Sequence, residues 1–150
     1  KHPEDKMFEE LNYEDLDEVM ERIRGTDAKE TNVIIFDDQS AYLKNKETLR
    51  LFKELIFNRR HLRTSIYFLN QTFFSVPKEL RRLFSNIFVF KVSRNEMKNL
   101  FEEVVEQDHV KELMPQISKL VFDKPYQYLF INTDSQKFYK GFDRIDFAED

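Results

Sequence analysis

Glycine is the residue that most narrows what this chain can fold into: only Gly25 and Gly141 occur in 150 residues. Folds that cradle a phosphate in a glycine-rich turn need glycines in close succession, so neither G-x-x-x-x-G-K-[ST] nor G-x-G-x-x-G can be written here. The G-x-S-x-G elbow of a serine nucleophile is excluded on the same ground. With no Cys there are no disulfides or thiolate metal sites, which is compatible with a reducing compartment. His2, His61 and His109 lie too far apart for a paired zinc motif. Sixteen Phe and six Tyr supply a sizeable core for one soluble domain. No apolar run approaches the ~20 residues needed to span a bilayer, so no membrane partner is expected. The start, Lys1-His2-Pro3-Glu4-Asp5-Lys6, has neither an initiator Met nor an apolar stretch. It therefore reads as part of a longer protein that is not secreted.

The formal charge of -4 conceals strong segregation. Residues 44–94 carry twelve basic and three acidic side chains, a local +9, between an acidic 1–31 segment at -6 and an acidic 95–150 segment at -5. A basic centre in an acidic chain suits an anionic partner such as phosphate or DNA. Pairing with the acidic flanks or a neighbouring subunit fits equally.

Hydrophobic spacing predicts a helix over 13–24, with Leu16, Val19, Met20 and Ile23 on one face, Asn12 as N-cap and Gly25 as the stop. Asn32 to Asp37 is an apolar run without alternation, the pattern of a strand buried on both faces of a parallel sheet. A helix over 46–60 follows, with Leu49, Phe52, Leu55 and Ile56 inward, then a strand over 64–70, a short basic helix near Leu80 and Leu83, and a strand over 86–91. Strand, helix, strand, helix, strand implies a mainly parallel sheet with flanking helices, an α/β fold. Ser93 and Glu96 form a capping box opening a helix to about Glu106. A helix over 108–120 is interrupted near Pro115. Residues 127–132 and 137–140 read as an antiparallel hairpin around Thr133 to Gln136.

The chemistry concentrates at strand ends. Val33 to Phe36 runs into Asp37-Asp38, and ligands of open α/β sheets sit at the carboxyl ends of strands. One acid of such a pair suits Mg²⁺ through its water shell, and the next polarises an attacking water. Helix capping or a turn is the plainer use of the same residues. The next strand ends in Asn70-Gln71-Thr72, whose amides suit either a γ-phosphate sensor or a simple turn. Arg59-Arg60-His61 closes the intervening helix. Those cations either complement the negative helix end or supply an arginine finger to an adjacent subunit. Phe73-Phe74 fit base stacking, or burial in a core or subunit interface.

Taken in order, Ile35-Phe36-Asp37-Asp38, Arg60-His61, Ser65 to Thr72, Val76-Pro77, Arg81-Arg82 and Phe88-Val89-Phe90 resemble the poxvirus-type DNA-packaging ATPases of large DNA viruses. These belong to the FtsK/HerA superfamily. The resemblance covers about residues 32–106. It implies that Asp37 is the Walker B acid serving Mg²⁺ through water, Asp38 the acid that activates water, and Gln71 the γ-phosphate sensor; Asn70, beside it at the strand end, is a further candidate for binding the nucleotide. Arg60 falls at the arginine that acts across a subunit boundary; Arg59 replaces the Gly usual before it and is an alternative finger. His61 also matches the pattern. Leu83 stands where the motif after the Pro has Asn.

The expectation is a partial RecA-like ASCE ATPase core over 32–106, preceded by an acidic helical segment over 1–31 and followed by a helical and hairpin cap over 107–150. The implied activity of the intact protein is ATP- and Mg²⁺-dependent translocation of double-stranded DNA into a capsid. A ring-shaped homo-oligomer and capsid or portal-vertex proteins are the implied partners, in the virion or a cytoplasmic virus factory. The phosphate cradle is expected upstream of Lys1. Without its charge-assisted hydrogen bonds, worth ~1.5–3 kcal/mol each, this stretch alone binds ATP orders of magnitude more weakly. The alternative is a catalytically inactive ATPase-like domain serving assembly or DNA and protein binding.

Overall fold

Local sequence signals set most of the element boundaries. The Asn12 side chain accepts a hydrogen bond from the Asp15 N–H at 2.8 Å and opens α1, Tyr13–Arg24, whose Leu16, Met20 and Ile23 are buried. Gly25 closes it by donating its N–H to the Glu21 carbonyl. Asn45 likewise accepts from the Glu47 and Thr48 N–H groups at the start of α2, Lys46–Asn58. Each such cap satisfies a helix-end donor that would otherwise lack a partner.

The computed structural model describes residues 6–147 except Ala28. They fall into two units, one ending at Leu83 and one beginning at Phe84. In the first, β1 (Asn32–Asp37) pairs in parallel with β2 (Thr64–Leu69), in register from Asn32 opposite Thr64 to Asp37 opposite Leu69. Between them come a 3₁₀ segment, Ser40–Lys44, and α2, which supplies the crossover that parallel pairing needs. The buried stripe of α2 is Thr48, Leu51, Phe52, Leu55 and Ile56, with Leu49 at its margin. Phe52 sets its ring edge-on to Phe36 of β1 (4.8 Å between centroids) and to Phe68 of β2 (5.7 Å). That aromatic contact fastens helix to sheet. Helix α1 packs on α2 in turn, with Arg24 paired to Glu54 at 3.1 Å.

Burial on both faces of β1 does not hold. Phe36 is buried, but Val33 (62% exposed), Ile35 (58%), Tyr67 (53%) and Leu69 (50%) lie on the opposite face of the two-stranded sheet. The apolar run has the composition of a doubly covered strand, and α2 covers one side of it.

In the second unit, β3 (Asn86–Phe90), β4 (Tyr128–Asn132), β5 (Lys137–Lys140) and β6 (Asp143–Ile145) form an antiparallel sheet in that order. The fold class is the expected one, parallel strands with flanking helices followed by a C-terminal antiparallel sheet. The third strand is placed differently from the sequence reading, for β3 is hydrogen-bonded to β4. Its alternation of buried Ile87 and Val89 with exposed Phe88 and Phe90 is that of a one-sided antiparallel strand. The connection that precedes it holds a 3₁₀ turn, Phe73–Ser75, and a one-turn helix, α3 (Lys78–Arg81).

Ser93 caps α4 (Arg94–Val104), and the chain then breaks into α5 (Asp108–Glu112) and α6 (Met114–Val121), with Pro115 in the first turn of α6. The expected hairpin is β4–β5, with Asn132 opposite Lys137. It continues into β6, absent from the sequence reading, through a tight turn at Gly141, where φ is +60°. Only glycine adopts that backbone without penalty. Gly141 followed by Asp143-Arg144-Ile145 was the available signal. Among the described residues no helix is long and apolar enough to cross a membrane.

Candidate active site at the carboxyl ends of the parallel strands

Asp37 is the last residue of β1, and Asp38 follows it off the strand end. The Asp38 N–H extends the ladder by donating to the Leu69 carbonyl at 2.9 Å. Its φ of +53° then turns the chain away, a conformation that Asp tolerates better than most residues. The turn points the two neighbouring acids into different surroundings. Asp38 Oδ2 accepts a hydrogen bond from Gln71 Nε2 at 3.0 Å, across 33 positions of sequence. The sequence-predicted acid and amide therefore meet. Asp37 is exposed, and no hydrogen bond or ion pair engages its carboxylate among the described residues.

The loop after β2 is internally built. Asn70 Nδ2 donates to the Thr72 carbonyl at 2.6 Å and to Ser75 Oγ, and Ser75 Oγ donates to the Thr72 carbonyl at 2.8 Å. Asn70 Oδ1 is buried and is the one such side-chain atom without a partner among the described residues. A buried acceptor of this kind is costly until a donor meets it. On the β1 side, Gln39 donates to the Asp37 carbonyl at 3.0 Å and accepts from the Leu11 N–H at 2.8 Å, pinning the post-strand turn to the segment before α1.

Arg59, Arg60 and His61 lie at the other end of the same sheet. Thr64, the first residue of β2, donates its N–H to the Arg59 carbonyl, and Asn32, the first of β1, donates to the Arg63 carbonyl. A six-residue strand thus separates the arginines from the acids, roughly 20 Å at the usual rise. Arg59 Nη1 donates back to the Ile56 carbonyl at 2.9 Å, the helix-end interaction that complements the terminal carbonyls of α2. Arg60 is exposed, and no ion pair or hydrogen bond engages its guanidinium among the described residues.

Residues 7–146 match the profile of the family described as poxvirus A32 protein. The chain belongs to that family. No individual curated protein sequence matches this A32 family member significantly. Among solved structures it is similar to the genome-packaging NTPase B204 of Sulfolobus turreted icosahedral virus 2 in complex with AMPPCP. The TM-score is 0.70 at 14% identity, with 93% of this chain and 65% of that one covered. It is also similar to B204, the DNA-packaging ATPase of Sulfolobus turreted icosahedral virus, with a TM-score of 0.68 at 15% identity and coverage of 91% and 64%. These likenesses establish the fold. The A32 family chain spans just under two thirds of each structure's length.

No group of three or more His, Cys, Asp or Glu that could cage a metal occurs among the described residues. An exposed pair of carboxylates fits Mg²⁺ in another manner, because that ion keeps several waters and shares its coordination with substrate phosphates. A groove of about 290 Å³ in the second unit, lined by Arg94, Lys98, Glu102, Lys111 and Glu112 among others, contains none of the predicted site residues. Gln39, Ser75 and Arg81, which hold the turns behind Asp37 and Gln71, were not singled out for such roles by sequence. Adjacency to the motif residues was the only available signal for the first two.

Proposed function

We propose that this chain is the hydrolysis-side part of an ATP-driven motor that packages double-stranded DNA into a viral capsid. The observation that carries the reading is the Asp38–Gln71 hydrogen bond at the carboxyl ends of two parallel strands, the place where α/β sheets hold phosphoryl groups. Asp37, exposed beside it, would hold Mg²⁺ through water, and the bound ion supplies neutralisation of charge on the transferring phosphoryl group. Asp38 takes a proton from the attacking water, and the Gln71 amide holds that carboxylate oriented while its remaining hydrogen-bonding capacity faces the γ-phosphate. Asn70 belongs on the nucleotide side, its buried Oδ1 awaiting a donor. Arg60, roughly a strand's length from the acids, serves the site of an adjacent subunit, with Arg59 held by its own helix end. A ring-shaped homo-oligomer and the capsid or portal vertex follow as partners. The likeness to the B204 proteins, a genome-packaging NTPase in complex with AMPPCP and a DNA-packaging ATPase, supports this reading.

The test is ATP turnover and DNA translocation by the whole packaging protein carrying Asp38→Asn. Loss of hydrolysis with nucleotide binding retained is the expected result. Undiminished turnover would reject Asp38 as the activating acid. If the whole protein lacks a phosphate-binding loop, the inactive ATPase-like assembly module replaces the motor reading.

A further inference from the structure

Arg81 lies outside the residues to which the reaction assigns a role, and its surroundings are unusual. Its guanidinium carbon sits 5.3 Å from the centroid of the Phe73 ring and 4.9 Å from that of Phe74. The two rings stand edge to face, 5.3 Å apart and 88° inclined. Arg81 Nη1 also donates to the Val76 carbonyl at 2.7 Å. One planar cation therefore engages three positions of the loop that begins at Gln71, and a lysine, with a single compact charge, cannot reproduce that set. Arg81 is itself anchored. The adjacent Leu80 and the loop residue Val76 are buried, and Glu79 of α3 pairs with Lys53 of α2 at 2.9 Å. The clamp is thus fixed to the helix that covers the sheet, and it closes on the loop two residues beyond the amide that meets Asp38.

Gln71 itself is exposed, and its side-chain amide is held by the hydrogen bond to Asp38. An exposed glutamine side chain loses rotamer freedom when it holds one hydrogen bond, and a net bond of ~0.5–1.5 kcal/mol barely offsets that. Its backbone must already be ordered for the bond to persist. From inside the loop, the Asn70 and Ser75 hydrogen bonds provide that order; from outside, Arg81 does.

We propose that Arg81 is a positioning residue: through its cation–π contacts with Phe73 and Phe74 and its hydrogen bond to the Val76 carbonyl, it holds the loop after β2 so that the Gln71 amide stays on Asp38. The proposal rests on the catalytic reading of that pair for its consequence in turnover, but not for its geometry. It also gives Phe73 and Phe74 an intramolecular use in place of base stacking.

The test uses this chain, labelled with ¹⁵N, and the side-chain amide resonances of Gln71. Asp38→Asn shifts those resonances in the parent chain if the two side chains are bonded. In an Arg81→Met background the same substitution is expected to leave them unmoved, and in Arg81→Lys to move them by less than in the parent. An Asp38→Asn response of parental size in Arg81→Met would overturn the proposal. Should Arg81→Met fail to fold, Phe74→Leu at the exposed ring serves instead, with a reduced response expected and an undiminished one equally decisive. In the whole packaging protein, Arg81→Met is expected to lower kcat on the order of tenfold to a hundredfold with KM for ATP unchanged. It should add nothing to Gln71→Ala, because both act through one amide. A lost amide response with undiminished turnover would leave the clamp standing and remove Gln71 from the reaction, so the two readings fail separately.

Discussion

Two inactive variants are expected to restore one another. The arginines after α2 sit at the amino ends of the strands, and Asp37 and Asp38 sit at the carboxyl ends. Six residues of strand put about 20 Å between them, well beyond the reach of an arginine side chain. On the proposed reading, Arg60 therefore serves the phosphoryl group of a neighbouring copy in a head-to-tail assembly. In the whole packaging protein, Arg60→Ala should lower phosphate release on the order of 10³- to 10⁵-fold, the usual worth of an arginine finger, and Asp38→Asn on the order of 10²- to 10⁴-fold, the usual worth of a positioned general base. Mixed one to one, each site needs an intact acid from one subunit and an intact arginine from the next. About one quarter of head-to-tail contacts satisfy both, so roughly a quarter of parental turnover should return if sites act independently. The measurement is steady-state phosphate release across a series of mixing ratios, with each variant alone as the baseline. A mixture as inactive as its components at every ratio, with subunit exchange verified, would refute the reasoning. So would full turnover by Arg60→Ala alone, which would return the role to Arg59.

Further consequences can be checked separately. Gln71→Ala should cost about 10²- to 10³-fold in kcat, as loss of one positioned donor commonly does, read by single-turnover hydrolysis. Phe52→Ala removes the ring that fastens α2 to both parallel strands and should destabilise the first unit by about 3–5 kcal/mol, read by urea unfolding; a loss below ~1 kcal/mol would contradict the packing described. The Lys140 ammonium, 2.8 Å from Asp123, holds that carboxyl below the ordinary carboxylate range. Its contribution to stability is therefore present above the unfolded value of about 3.9 and is lost as the pH falls through the lower folded value. Lys140→Met should lower the melting temperature slightly near neutrality and leave it unchanged in strong acid. If the +9 segment contacts DNA phosphates, binding should weaken steeply and linearly in log salt, and a flat dependence would exclude that role.

The elements most legible in the sequence were those with local causes. Asn12, Ser93 and the break before Pro115 set helix boundaries within the chain's own backbone chemistry, so their effect needs no distant partner. The Asp37-Asp38 and Asn70-Gln71 pairs were visible as polar ends to apolar strands, and parallel pairing of β1 with β2 places them at one end of the sheet. The partner of β3 was hidden because strand order says little about which edge a strand will join, and its alternation was outweighed by the βα rhythm around it. The strand β6 was too short to show a period. Arg81 was noticed as part of a motif but not as a clamp, since a cation–π contact with two rings depends on a turn whose shape only the folded loop defines.

The face carrying Val33, Ile35, Tyr67 and Leu69 bears on how this polypeptide behaves as a colloid. Four large apolar side chains on adjacent parallel strands form a flat adhesive patch, and patches of this kind drive association when charge repulsion fades. With an isoelectric point near 5.5, the net charge that keeps copies apart vanishes in mildly acidic buffer. Turbidity should peak there and decline on either side. Ile35→Lys, which places a cation in the centre of the patch opposite Tyr67, should clear the solution while leaving the Phe36, Phe52 and Phe68 packing on the reverse face untouched.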